Sequence, residues 1–257
     1  MPPTLRDVAK LANVHPGTVS RALNPHTRRM VNAETARRVL EAAERLGYRP
    51  NPIARGLKTN RSHTIGVLIP DLTNPLFPPI VRGIQDVLER AGYTPLIANT
   101  DNDPDRERND FEAMRARQVD GVITATARLD HSLLDEMAAD GLPIVLVNRR
   151  LDDGPLPSAT VDDHAGARMA VRHLIELGHT RIAHLGGPQD VSTGVLRLQG
   201  YLDAMTDAGL EPGPVLCGTA FTEPEGARLA GDLIDEGATA IVAGNDLVAL
   251  GCYDVLA

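Results

Sequence analysis

Apolar positions near the start of the chain recur at helical spacing. Leu5, Val8, Ala9 and Ala12 fall on one face of a first helix. Thr4 stands before it with Asp7 three residues on, the arrangement of a capping box. Asn13 is among the few non-glycine residues that tolerate a left-handed turn, and Val14 follows as a buried pivot. Pro16 marks the next start, because the first helical position has no use for the N–H that proline lacks. Val19 and Leu23 make the inner face of this second helix, and Gly17, Ser20, Arg21 and Asn24 point away from it. A third helix is expected over about 32–46, with Val39, Leu40, Ala43 and Leu46 inward and Gly47 just past its end. Two short helices joined by a tight turn, with a third against them, predict a helix-turn-helix. A plain small helical bundle has the same spacing.

"NPIARGLKTN" (51–60) opens like a helix at Asn51-Pro52 but is too short to hold one alone. Gly56 weakens it by a further ~1 kcal/mol relative to alanine. The segment reads as a plain linker or as a helix that forms only against a partner. From Thr64 the pattern changes. Short apolar runs, "TIGVLIP", "TPLIANT", "DGVITAT", "LPIVLVN", "SATV", "RIAHLGG" and "AIVAGND", alternate with helical stretches at about 77–91, 104–117, 131–139, 163–177 and 194–208. This alternation predicts parallel α/β units, whose ligands sit at the carboxyl ends of the strands.

Charge sharpens the division. Residues 1–63 hold twelve Lys/Arg against four Asp/Glu, and the remainder holds fourteen against thirty. A basic head on an acidic body is what a polyanion-binding module on a soluble core would show, although a basic surface can also be mere solvation. Cys217 and Cys252 have neither disulfide nor zinc spacing, the eight histidines show no metal pattern, and no metal or cofactor is expected. "HLGGP" lacks the full dinucleotide fingerprint, and no enzyme signature is present. No run approaches the ~18 apolar residues of a membrane span, and the first residues lack a secretory pattern, so a cytoplasmic location is expected.

"TLRDVAKLANV", "TVSRALN" and "RVLEAAERLGYRPNPIARGLKTNRSHTIGVLIPDLTNPLF" resemble the LacI/GalR family of bacterial transcription regulators. The resemblance implies a helix-turn-helix domain over 1–49, a hinge helix over 50–62, and a periplasmic-binding-protein-like core over 63–257. That core would have one parallel-sheet subdomain at about 63–160 and a partial second one at about 161–257. It also implies a dimer on palindromic operator DNA, controlled by a small effector that is most commonly a sugar.

In such a motif the second helix enters the major groove and its first residues meet base edges. The family usually carries Ser where this chain has His15, and its residues at 16 and 17 vary and read the operator. Pro16 and Gly17 offer no side-chain hydrogen bond, so base reading falls to backbone approach, apolar contact, His15 or Arg21. Arg21 is the strongest candidate, since arginine binds guanine in a bidentate way worth ~1–3 kcal/mol of discrimination. His15 is a poorer cap than serine, and either contacts DNA or merely weakens the helix start. Thr4, Thr18, Ser20 and Asn24 suit phosphate oxygens, and Thr18 and Ser20 are equally read as solvent-exposed. By the resemblance Leu57 is an apolar wedge for the minor groove with Ala54 beside it, and Arg55 and Lys58 lie near phosphates.

Strand ends supply the effector candidates: Asn74 and Phe77 after the first strand, Asn148 after "IVLV", and Asn245-Asp246 after "AIVAG". The resemblance adds Arg197 as the grip on an oxygen-rich ligand, Asn148 and Asn245 as polar contacts, and Phe77 and Phe221 as ring stackers. Phe77 can equally be core, Arg197 a surface charge and Asp246 a helix cap. Pro78-Pro79 stand where the family carries helix formers, so that helix is expected to begin late and shift the cleft wall. The chain also ends inside a helical pattern, "NDLVALGCYDVLA", short of the family's usual extent, and is read as truncated. Two rival readings remain: a periplasmic-type sugar-binding protein, and an inactive truncated repressor subunit.

Overall fold

A computed structural model describes residues 3–24, 27–49 and 61–256. The chain divides into two units, Met1–Ser62 and His63–Ala257. The first holds helices α1 (Leu5–Ala12), α2 (Pro16–Leu23) and α3 (Ala33–Arg45), with a short 3-10 turn at Arg28–Met30. Each helix has a side-chain N-cap. The Thr4 hydroxyl accepts from Asp7 N–H while the Asp7 carboxylate accepts from Thr4 N–H at 2.8 Å, closing the expected capping box. Asn32 Oδ1 accepts from Glu34 N–H at 2.9 Å to start α3. Asn13 is left-handed at φ 51°. Gly47, at φ 63°, lets Tyr48 N–H return to the Ala43 carbonyl at 2.8 Å and end α3. Val8, Val19, Ala22 and Val39 are fully buried where the helices meet. Leu40 corrects the expected inner face: it is 37% exposed, and Ala36 and Ala42 take the buried places instead.

The second unit carries two parallel sheets. Strands β1 (Thr64–Ile69), β2 (Thr94–Asn99), β3 (Gly121–Thr124), β4 (Ile144–Val147) and β5 (Ser158–Ala159) pair in the order β2-β1-β3-β4-β5. Helices α4 (Phe77–Arg90), α5 (Pro104–Ala116) and α6 (Ser132–Ala139) connect them. β1 is buried on both faces, as a continuous apolar run requires. Leu68 packs with Phe111, Met114 and Leu134, while Val67 and Ile69 pack with Phe77 and Val81. Strands β6 (Ile182–Gly186), β7 (Val215–Cys217) and β8 (Ala240–Ala243) form the second sheet in the order β7-β6-β8. Helices α7 (Asp163–Glu176), α8 (Ser192–Asp207), α9 (Glu223–Asp235) and α10 (Asp246–Leu256) flank it. Ile182 meets Tyr201 and Met205 on one face, and Ala183 and Leu185 meet Leu229, Leu233 and Val248 on the other.

Two expectations change here. Pro78 and Pro79 do not delay α4. They sit in its first turn, where their missing N–H groups would have had no helical partner. β7 and α9 went unread because "PGPVLCG" buries little and is broken by Pro212, Gly213 and Pro214, while α9 is interrupted by Pro224, Gly226 and Gly231. Among the described residues no helix is long and apolar enough to cross a membrane.

Candidate functional site

In the first unit the site is the outer surface of α2. His15 is its N-cap: Nδ1 accepts from Gly17 N–H at 3.0 Å. A Cβ on Gly17 would lie 3.1 Å from that nitrogen, so the small residue leaves room for the ring. With Nδ1 accepting, a neutral His15 carries its proton on Nε2, and the residue is exposed. The histidine therefore caps the helix and still has a donor to offer. Arg21 is exposed one turn on, while Pro16, Gly17, Thr18, Ser20 and Asn24 are half-buried. The Thr4 hydroxyl donates to the Asp7 carboxylate at 2.7 Å, which holds that carboxyl below the usual carboxylate range and leaves the hydroxyl less available for phosphate. Ala54, Arg55, Leu57 and Lys58 lie outside the described residues.

In the second unit a cavity of ≈ 560 Å³ opens at the carboxyl ends of strands from both sheets. All seven effector candidates, Asn74, Phe77, Asn148, Arg197, Phe221, Asn245 and Asp246, line it. They are not equally available. Phe77 is 3% exposed and packs against Val67, Ile69 and Ala125, so most of its ring belongs to the core. Asn74 Oδ1 accepts from Leu76 N–H at 3.0 Å, shaping the loop into α4. Asn245, not Asp246, starts α10, with its Oδ1 accepting from Val248 N–H at 2.9 Å. Asp246 opens the first turn, exposed. Asn148 is left-handed at φ 65°, and Arg149 N–H reaches back to the Val147 carbonyl at 2.7 Å, a tight γ-type reversal.

Arg197 is no loose surface charge. Its Nε and Nη2 reach Asp163 Oδ1 at 2.8 and 2.7 Å, Nη1 donates to the Gly244 carbonyl at 2.6 Å, and its centre lies 5.5 Å over the Phe221 ring. The Asp163 side chain is 3% exposed. Phe221 fits because Gly187 has no side chain: a methyl there would occupy the space of the ring. Gly194 likewise lets the first turn of α8 close on the Pro188 carbonyl.

Residues 62–257 match the family described as periplasmic binding proteins and sugar binding domain of the LacI family, and residues 4–51 match bacterial regulatory proteins, lacI family. The chain belongs to the LacI family. A LacI-family relative, the HTH-type transcriptional regulator RegA of Clostridium saccharobutylicum, is 39% identical over 217 residues, which are 84% of this chain and 65% of RegA. The ribose operon repressor of Halalkalibacterium halodurans is 35% identical across 96% of this chain and 73% of its own length. Among solved structures, the lac repressor dimer bound to operator and the anti-inducer ONPF superposes with a TM-score of 0.84 at 27% identity, covering 100% of this chain and 78% of that one. These relatives are transcriptional regulators. The helical head and parallel-sheet core are the LacI-family architecture.

Several lining residues of this LacI-family core were missed from the sequence: Arg128, Arg149, Asp190 and Thr193. Arg149 and Arg128 follow the ends of β4 and β3 within a few residues, so the same rule could have found them. The pairing of Asp163 with Arg197 could not be found that way, because the two are 34 residues apart. Behind the wall, Glu107 is buried and accepts from the Thr126 hydroxyl, with His131 Nε2 at 3.3 Å. Arg128 N–H donates to His131 Nδ1 at 3.3 Å, so this buried pair holds the loop that carries Arg128. Among the described residues no group of three or more His, Cys, Asp or Glu could hold a metal ion.

Proposed function

We propose that this chain is a transcription repressor that grips a palindromic operator as a dimer and is controlled by a small polar effector, a sugar by class. The observation that carries the reading is the pairing of an exposed, side-chain-capped α2 bearing Arg21 with a strand-end cavity lined by Asn74, Asn148 and Arg197. The named relatives support it: one is a ribose operon repressor, and the lac repressor structure is a dimer on operator DNA. Arg21 reads a guanine edge. His15 Nε2–H contacts a base or phosphate, and Thr18, Ser20 and Asn24 hold phosphates. Residues 50–62 serve as the hinge, with Leu57 as minor-groove wedge. Among the cavity residues, Arg197 and Asn148 bind effector oxygens, and Phe221 stacks on the ring. Effector binding alters operator affinity through a coupling free energy of ~1–3 kcal/mol, the usual range. The protein works in the cytoplasm, where the DNA is.

Selection of bound DNA from a random duplex pool tests this reading. An inverted repeat is expected, with binding weakened by Arg21→Ala and by Leu57→Ala. Failure to enrich any duplex at low salt, or unchanged binding in both variants, would falsify it.

A further inference from the structure

Arg149 is the unexplained group of the cavity. The Asn148 reversal turns it in at the end of β4, where it is 8% exposed, yet its Nε has no hydrogen-bond partner. Its polar contact among the described residues is Nη1 to Asn102 Oδ1, at 3.5 Å. Among the described residues no carboxylate forms an ion pair with Arg149. Asp163 belongs to Arg197, Glu107 to Thr126 and His131, and Asp71 accepts from Thr73 N–H and hydroxyl. Asp190 lies 3.7 Å from Arg128. Burial pulls the Arg149 guanidinium down to about 10, partly opposed by attraction from Asp190 and Glu107 and helped by repulsion from Arg128 and Arg197. A buried cation with no carboxylate in contact is costly, and the planar guanidinium fork matches an oxyanion in a bidentate way.

The rest of the wall carries Arg128 beside the carboxylates of Asp71, Asp190 and Asp246. Arg128 lines the same cavity, with its Nη2 on the Asn102 carbonyl at 3.1 Å. Two helices begin at the cavity without side-chain caps, α8 at Val191 and α9 at Thr222. Their first N–H groups add partial positive charge.

We infer that the cavity takes a polyol bearing an oxyanion, a phosphate or a carboxylate, held by Arg149 with Arg128 while Arg197 stays tied to Asp163. This rests on the effector-cavity reading above and narrows it from sugars in general to charged ones. The polyol oxygens then fall to Asn148, Asn74 and the N–H groups that Arg197 has left over, and the oxyanion completes the empty side of Arg149.

The test titrates inorganic phosphate, glucose 6-phosphate, gluconate and glucose separately into the full chain in phosphate-free buffer, reading Tm and Kd. A saturable rise in Tm with phosphate or glucose 6-phosphate identifies a phosphate ligand, and one with gluconate identifies a carboxylate; glucose is expected to give none. Arg149→Gln is expected to weaken oxyanion binding roughly ten- to a hundredfold. Arg149→Lys, which keeps the charge but loses the fork, should fall between and covers the case of a glutamine variant that does not fold. Arg115→Gln, exposed and outside the cavity lining, controls for net charge. No saturable shift with any oxyanion, a response to glucose alone, or an equal shift in Arg149→Gln overturns the inference. Operator binding by the wild type is measured in parallel, without and with each titrant. Intact operator binding with a failed titration sinks the charged-effector inference alone, whereas absent operator binding sinks the repressor reading.

Discussion

The head and the body of this chain bury themselves by different means. Among the described residues of the head every buried core side chain is alanine or valine: Val8, Ala9, Ala12, Val19, Ala22, Ala36, Val39, Ala42 and Ala43. The largest fully buried side chains, Tyr201 and Phe111 among them, all lie in the body. Small residues let three short helices approach closely, but they withdraw little apolar surface from water, and a small unit has little to spare. The head compensates at its helix ends, through Thr4 with Asp7, His15, Asn32 and Gly47. The body has a surplus. That surplus lets it carry polar groups in poor surroundings, such as Arg149 and the His184 ring, whose nitrogens have no hydrogen-bond partner. The head keeps its reactive groups outside, and the body can afford to hold them within.

The comparison predicts a ranking of effects. Phe111→Ala should cost the body about 4 kcal/mol by leaving a cavity. Denaturant unfolding measures it, with amide hydrogen exchange at Val19 and Val39 as the reporter of the head, and an equal loss there would break the contrast. Next comes His184, stacked on Tyr201 at 5.1 Å and pushed by burial from 6.5 to about 4. The folded state favours the neutral ring. Its stability is therefore full above about pH 6.5 and is lost as pH falls toward 4, by about 3 kcal/mol. Comparing unfolding of the wild type with His184→Phe at pH 7.5 and 4.5 tests this, and an identical pH slope would remove the histidine from the account. Ala22→Leu should overpack the head by about 2 kcal/mol. A head that accepts leucine there without loss is not closely packed. Smallest is Thr4→Ala, about 1 kcal/mol through loss of the α1 cap, visible as a lowered head midpoint.

How far the sequence could be read follows from the distance over which each cause acts. Thr4 with Asp7, Asn13, Pro16 and Gly47 all act within a turn of their own position, and the structure places each where local rules expect. Asn74, Phe77, Asn148 and Asn245 were legible too, because parallel topology gathers strand ends without any need to know the partners, whereas Arg197 and Phe221 came from the family resemblance. Pairings across long separations were not legible. Nothing near Arg197 announces Asp163, and nothing near Arg149 announces that it has no acid of its own. Leu40 and Ala42 exchanged places because periodicity gives a face only to within a residue. Pro78-Pro79 were misjudged because proline's effect depends on where the helix starts, which is the least certain local feature.

The tie from Arg197 to Asp163 and Gly244 bears on any attempt to re-tune this chain as a biosensor. Phe221 and Asn74 are half-buried and can be exchanged at modest cost. Replacing Arg197 would strand a carboxylate that is 3% exposed at the start of α7 and free the loop that follows β8. A designer seeking a new analyte should vary the rim and leave that arginine alone, or replace it together with Asp163 as a pair.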